Sequence, residues 1–191
     1  MAKLIWKAFV LTAAMTLLTG VVYPLAVTGL AQAIFHSQAN GSIIFRSGTP
    51  AGSALIGQRF TGPEYFHTRP SATGRTEYDA MASAGSNLGP TNKKLLESIS
   101  ERVETIRLEN GLDEETVPGD LVMSSASGLD PQISPEAAFI QAQRVAKARG
   151  ITLQEVQRLI NRRIEGPDFG VLGEPRVNVL LLNLDLDKQS K

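Results

Sequence analysis

The side chains able to do chemistry are few, and their spacing suits little of it. His36 and His67 are the only histidines; they stand in no H-x-x-x-H spacing and cannot complete an ordinary metal cluster. There is no cysteine, which removes thiolate nucleophiles, Cys-based metal sites and disulfides. The two common phosphate loops, G-x-x-x-x-G-K-[ST] and a G-x-G-x-x-G following a strand, are missing, as is a G-x-S-x-G elbow. Ser124, Ser125 and Ser127 with Asp120, Asp130 and His67 supply the ingredients of a hydrolase triad. Their order matches no known arrangement, and Ser127-Gly128-Leu129-Asp130-Pro131 is more economically a turn. Asp168, Asp185 and Asp187 lack the loop spacing that holds calcium. Arg158, Arg162 and Arg163 read as the solvated face of a helix, His67 as structural, and His36 as lying at a membrane interface.

The element that must position everything else is the N-terminal segment. From Ala8 to Phe45 there is no Asp, Glu, Lys or Arg, and residues 8–30 form a predominantly apolar run. A bilayer core of about 30 Å needs about 20 helical residues, so the run predicts one transmembrane helix, with residues 1–7 before it and a connecting segment over 31–53. Lys3 and Lys7 on its N-terminal side put that end in the cytoplasm and the following domain outside. The competing reading is a signal peptide cleaved after Ala31-Gln32-Ala33, releasing an envelope enzyme or solute-binding domain; a signal h-region, however, is usually only about 7–15 residues. On the helix, Thr12, Thr16 and Gly20, with Thr19 beside them, make a stripe of small and hydroxyl side chains that lets another helix approach closely. Tyr23-Pro24 predicts a kink.

Residues 54–191 predict a mixed α+β domain. Lysines and arginines equal aspartates and glutamates in number, which argues against nucleic acid as a partner. Ile43–Phe45 and Ala54–Phe60 are strand candidates. Residues 61–90 form a long loop rich in Gly, Ser, Pro and aromatics, longer than compact domains usually carry unless it is functional; Tyr65, Phe66, His67, Arg69 and Asn87 are its candidate docking residues. Helical periodicity then places Leu95, Leu96, Ile99, Val103 and Ile106 on one face, and Asn110-Gly111 supplies the stop. Asp120–Met123 reads as a strand. Ser134-Pro135-Glu136 opens a helix that ends at Gly150, and the capping box Thr152–Glu155 opens another. Val177, Val179 and Leu181 alternate as in a strand covered on both faces.

Several loop strings remain that turn chemistry alone does not require: Tyr65-Phe-His-Thr-Arg-Pro-Ser71, Gly85-Ser-Asn-Leu-Gly-Pro90, Ser127–Pro131 and Gly173-Glu-Pro-Arg-Val-Asn178. Together with Gly20-Val-Val-Tyr-Pro24, Gly52–Phe60, Arg144–Arg149 and Asn178–Asp185, in this order, they resemble the KdpC family, the C subunits of bacterial high-affinity potassium-transporting ATPases. The resemblance implies an accessory, non-catalytic subunit of the inner (plasma) membrane. Its partners would be a potassium-translocating subunit, a P-type ATPase subunit on which ATP and Mg act, and a very small single-span subunit. No Asp-Lys-Thr-Gly-Thr phosphorylation string occurs in the chain. The family is described as a catalytic chaperone that raises the ATPase subunit's affinity for ATP, a role proposed to centre on a glutamine at the position of Gln141. Gln143 and Gln132 depart from the family's usual residues nearby. By its helix pattern alone Gln141 reads as an exposed residue, and in the orientation given above it cannot reach cytoplasmic ATP, so any effect on nucleotide would be a coupling between sites.

Overall fold

A computed structural model describes residues 1–74, 76–113 and 116–189. It divides into two units, Met1–Pro50 and Ala51–Lys191. In the first, helix α1 (Ala2–Leu17) runs through a π turn (Leu18–Val22) into α2 (Tyr23–Ile34). The π turn has a local cause. Pro24 has no N–H, and its ring would clash with the carbonyl four residues back, so the ladder widens just before it and the Tyr23 N–H bonds Leu18 O. The helix over Ala2–Ile34 has a mean hydropathy of 1.9 in its most apolar window and buries none of it inside the molecule. It is long and apolar enough to cross a bilayer and outruns the apolar stretch at both ends. Phe35 leaves helical geometry, and a short helix α3 (His36–Ala39) follows. Asn40 ties off this end, its Nδ2 donating to His36 O at 2.7 Å and to Gln32 Oε1 at 3.0 Å.

The strand expected at Ala54–Phe60 lies earlier. Strands β1 (Ile43–Arg46) and β2 (Thr49–Ser53) form a two-stranded sheet, and no helix or strand is found among the described residues of 54–92. Regular structure resumes with α4 (Lys93–Asn110), whose first turn is capped by Asn92 accepting from the Lys94 N–H. The strand expected at Asp120–Met123 is instead a helical turn, α5 (Gly119–Val122). Pro118 starts it, and the Asp120 carboxylate accepts from Ser134 N at 2.5 Å and Ser134 Oγ at 3.2 Å. The turn thereby points Leu121 and Val122 inward.

Strand β3 (Gln132–Ile133) leads into α6 (Pro135–Arg149), where Ser134 accepts from the Ala137 N–H at one end and Gly150, at φ 66°, closes the other. Helix α7 (Leu153–Arg163) carries the complete Thr152/Glu155 capping box. Strands β4 (Ile164–Glu165) and β5 (Arg176–Asn178) complete an antiparallel sheet of order β3-β5-β4, with Ile133 and Ile164 both opposite Val177. The expected strand through Leu181 stops at Asn178, whose Oδ1 accepts from the Leu181 N–H at 3.1 Å and so starts α8 (Val179–Gln189). Val179, Leu182 and Leu186 then fall at helical spacing on a buried face. The core is built where α6, α7, α8 and β5 meet, and the alanines of α6 (Ala137, Ala138, Ala142 and Ala146) let its neighbours come close.

Candidate functional site

The long loop is drawn into its own domain. Phe66 is 0% exposed and belongs to the core, so its backbone crosses buried ground where each N–H and C=O needs a partner. Two carboxamides provide them. Asn183 of α8 accepts from Phe66 N at 2.9 Å and donates to Phe66 O at 3.0 Å. Gln141 of α6 accepts from His67 N at 2.7 Å and donates to His67 O at 3.2 Å. Each amide thus imitates a strand partner for one residue of an extended segment.

Gln141 is 2% exposed, which corrects its reading as an exposed helix residue. Its second donor goes to Ala137 O at 3.1 Å, and its oxygen also accepts from Arg144 Nη2 at 2.8 Å. Every polar atom of this amide is therefore engaged inside the domain. Arg144 extends the clamp, donating to Pro63 O, Tyr65 O and Asn110 Oδ1 at 2.7–3.0 Å. Burial lowers its pKa below the usual arginine value, against the pull of Glu109 and Glu64. Arg149 donates to Glu64 O at 2.6 Å, pairs with Asp187 at 2.8 Å, and lies 4.8 Å over the Tyr65 ring.

The His67 ring sits between Gly62 O, 3.2 Å from Nε2, and Glu109, 3.5 Å from Nδ1. Burial first, and Arg144 second, lower its pKa below 6.5, although Gly62, Glu109 and Glu64 pull the other way. A cavity of about 210 Å³ opens beside it, lined by His67, Thr68, Arg102, Glu109, Asn110 and Gln141 among others. Ordinary ligand pockets are about 300–1,000 Å³, so this space is small for a nucleotide.

The loop strings converge. Arg69 pairs with Asp130 at 3.0 Å, and both border a cleft of about 640 Å³ with Gly173–Arg176. The loop between them is fastened by Ser71 Oγ donating to Gly128 O at 2.7 Å and by Tyr78, whose hydroxyl donates to Arg69 O at 2.5 Å. Asn87, at φ 52°, stays on the surface. The triad ingredients are each engaged by other partners: Asp120 by Ser134, Asp130 by Arg69, His67 by Gly62 and Glu109, and Ser125 by the Gly128 N–H. Each C-terminal aspartate pairs with an arginine: Asp168 with Arg176, Asp185 with Arg163, Asp187 with Arg149. Arg158 and Arg162 are exposed, as a solvated face requires, whereas Arg163 is half-buried and tied to Asp185. No group of metal-ligating side chains occurs among the described residues.

On the N-terminal helix, Thr12, Thr16, Thr19 and Gly20 are all exposed. Thr19 Oγ1 donates to Met15 O at 2.7 Å; among the described residues the hydroxyls of Thr12 and Thr16 have no such partner. Asn183, Arg144 and Arg149 lie in strings that carried the resemblance, but their roles in clamping the loop were missed. The available signal was a polar residue set inside an apolar helical face: Asn183 among Val179, Leu182 and Leu186, as Gln141 among Ala137, Ala138, Ala142 and Val145.

Comparison with known proteins agrees with the loop strings. Residues 5–188 match the family described as KdpC: K+-transporting ATPase, c chain. The potassium-transporting ATPase KdpC subunit of Polaromonas naphthalenivorans (strain CJ2) is 54% identical over 187 residues, covering 98% of this chain and 95% of the relative. That of Gemmatimonas aurantiaca is 54% identical over 183 residues, covering 96% and 92%. That of Myxococcus xanthus is 58% identical over 173 residues, covering 90% and 82%.

Proposed function

Because this chain belongs to the KdpC family, the c chain of K+-transporting ATPases, we propose that it is the non-catalytic accessory subunit of an ATP-driven potassium uptake pump. It crosses the inner membrane once, N-terminus in the cytoplasm, and holds its α+β domain outside. Its partners there are the potassium-translocating subunit, the P-type ATPase subunit and a small single-span subunit, and it is needed for their stable assembly. The observation that carries this reading is the family match over nearly the whole chain, anchor included. With that match the released envelope enzyme or solute-binding domain loses its footing.

Its influence on ATP affinity is exerted through the complex, by favouring the state in which the ATPase subunit binds ATP and Mg. Gln141 supports that indirect route. With all its polar atoms committed to His67, Ala137 and Arg144, it has nothing left to offer a nucleotide without opening the clamp. Co-purification of the tagged full-length chain tests the assignment: the other transport subunits should come with it, and omitting the chain should abolish potassium-stimulated ATP hydrolysis. Protease added to spheroplasts should cut the domain. Protection there, with cutting in inside-out vesicles, would reverse the topology.

A further inference from the structure

Between β4 and β5 the chain makes a turn that the rest of the domain does not use. Asp168 and Leu172 exchange backbone hydrogen bonds of 2.8 and 2.9 Å, and Val171 N bonds Asp168 O at 3.2 Å. The base is braced by Arg176, which pairs with Asp168 at 3.0 Å and with Glu165 at 3.5 Å. On this braced turn Phe169, Val171 and Leu172 are 94%, 79% and 59% exposed. Single exposed apolar residues are ordinary; three within four positions of one tied turn are not.

The backbone sharpens the point. Phe169 has φ 53° and Gly170 φ 77°, the two positive values of a type I′ turn, whose central positions are dominated by Asn, Asp and Gly. A bulky aromatic at the first of them is strained. Neither burial nor backbone preference accounts for phenylalanine there, and strain of this kind collects at functional positions.

We infer that the Phe169–Leu172 turn is the knob by which this domain docks on a partner subunit of the pump, entering an apolar pocket with a basic rim. The rim chemistry comes from the knob's own surroundings. Exposed Glu165, Asp168 and Glu174 flank it, and among the described residues Arg176 alone pairs with them, through Glu165 and Asp168. This acidic collar suits lysines and arginines across an interface. It is the wrong sign for insertion among anionic lipids, where elements that lie in the headgroup region carry Lys and Arg. An exposed aromatic seated in a partner's pocket is the usual energetic centre of an interface. The inference rests on the subunit reading above and moves the docking surface from the 61–90 loop, whose Phe66 is buried, to a segment not singled out by its sequence.

Phe169→Asn tests it, because asparagine suits the turn while removing the aromatic. The tagged full-length chain is expressed with the other subunits, and complex retained through a fixed detergent wash is measured beside the thermal midpoint of the purified full-length chain. Retention should fall about tenfold or more, the loss expected for a central aromatic anchor, while the midpoint stays equal or rises. Glu174→Lys should lower retention as well, most at low salt. The knob is overturned if Phe169→Asn is retained as fully as the unaltered chain, or if its loss follows a lowered midpoint. It is also overturned if what Phe169→Asn abolishes is binding to vesicles without partner subunits, or self-association of the chain. An unaltered chain that retains no transport subunit sinks the subunit reading itself, and the knob with it.

Discussion

Gln141 and Asn183 each replace a whole strand partner with one side chain, and much depends on so few atoms. Truncating Gln141 leaves the N–H and C=O of His67 without partners at a buried position, at about 1–3 kcal/mol for each orphaned group. Gln141→Ala should therefore lower the thermal midpoint markedly, and Gln141→Glu should also lower it, since a carboxylate cannot donate to His67 O or Ala137 O. Any weakening of ATP binding in the assembled pump should track that loss; weaker ATP binding at an unchanged midpoint would place Gln141 at the nucleotide. His67 gives a second expectation. Its folded pKa lies below 6.5, so on acidification the unfolded chain takes up the proton first. Stability is then complete above about pH 6.5 and is lost as pH falls from there toward the folded value. Thermal unfolding between pH 7 and 5 should show this slope, and His67→Gln should flatten it. None of these roles was legible in the sequence, where Gln141 and His67 stand 74 positions apart.

Helix boundaries were the most legible feature, because caps act over three or four residues. Asn110-Gly111, Ser134-Pro135, Gly150 and the Thr152–Glu155 box all lie where local chemistry put them. Of the short strands, Ile43–Phe45 was legible and is found as β1; the others were not. Val177 to Leu182 satisfies an alternating and a helical pattern equally, and the choice falls to Asn178, which caps α8 and also donates to Ala54 O at 2.8 Å. Asn178→Ala should destabilise the domain by about 0.5–2 kcal/mol for the lost cap alone, read as a shift in the denaturation midpoint. In the N-terminal helix the small-residue spacing of four overshoots a 3.6-residue turn by about 40° per step. The π turn at Leu18–Val22 takes up extra residue length, which counters that drift as the stripe reaches Gly20. If the stripe is a packing face, Thr16→Leu or Gly20→Leu should weaken recovery of the pump subunits; unchanged recovery in both would remove it from the interface.

At the scale of the molecule, the division of labour follows from where apolar surface goes. The core of the second unit, with the apolar side chains packed against it, runs from Phe60 to Leu186. The anchor's most apolar window is 0% buried within the chain, so its apolar surface must be covered by lipid or by other helices. The two-part organisation was visible in the sequence for this reason, since hydropathy is a property of the stretch itself. The inward course of residues 61–74 was not, because it depends on helices far along the chain. This separation predicts opposite outcomes for one deletion. Removing residues 1–34 leaves every core side chain in place, so the domain's thermal midpoint should hardly move, whereas membrane retention should be lost and recovery of the other pump subunits should fall. A drop of more than about 5 °C, equivalent to roughly 1 kcal/mol or more for a domain of this size, would mean that the domain draws stability from its anchor. Undiminished recovery of the subunits would leave the α+β domain as the sole assembly element and put the full weight of docking on surfaces such as the Phe169 turn.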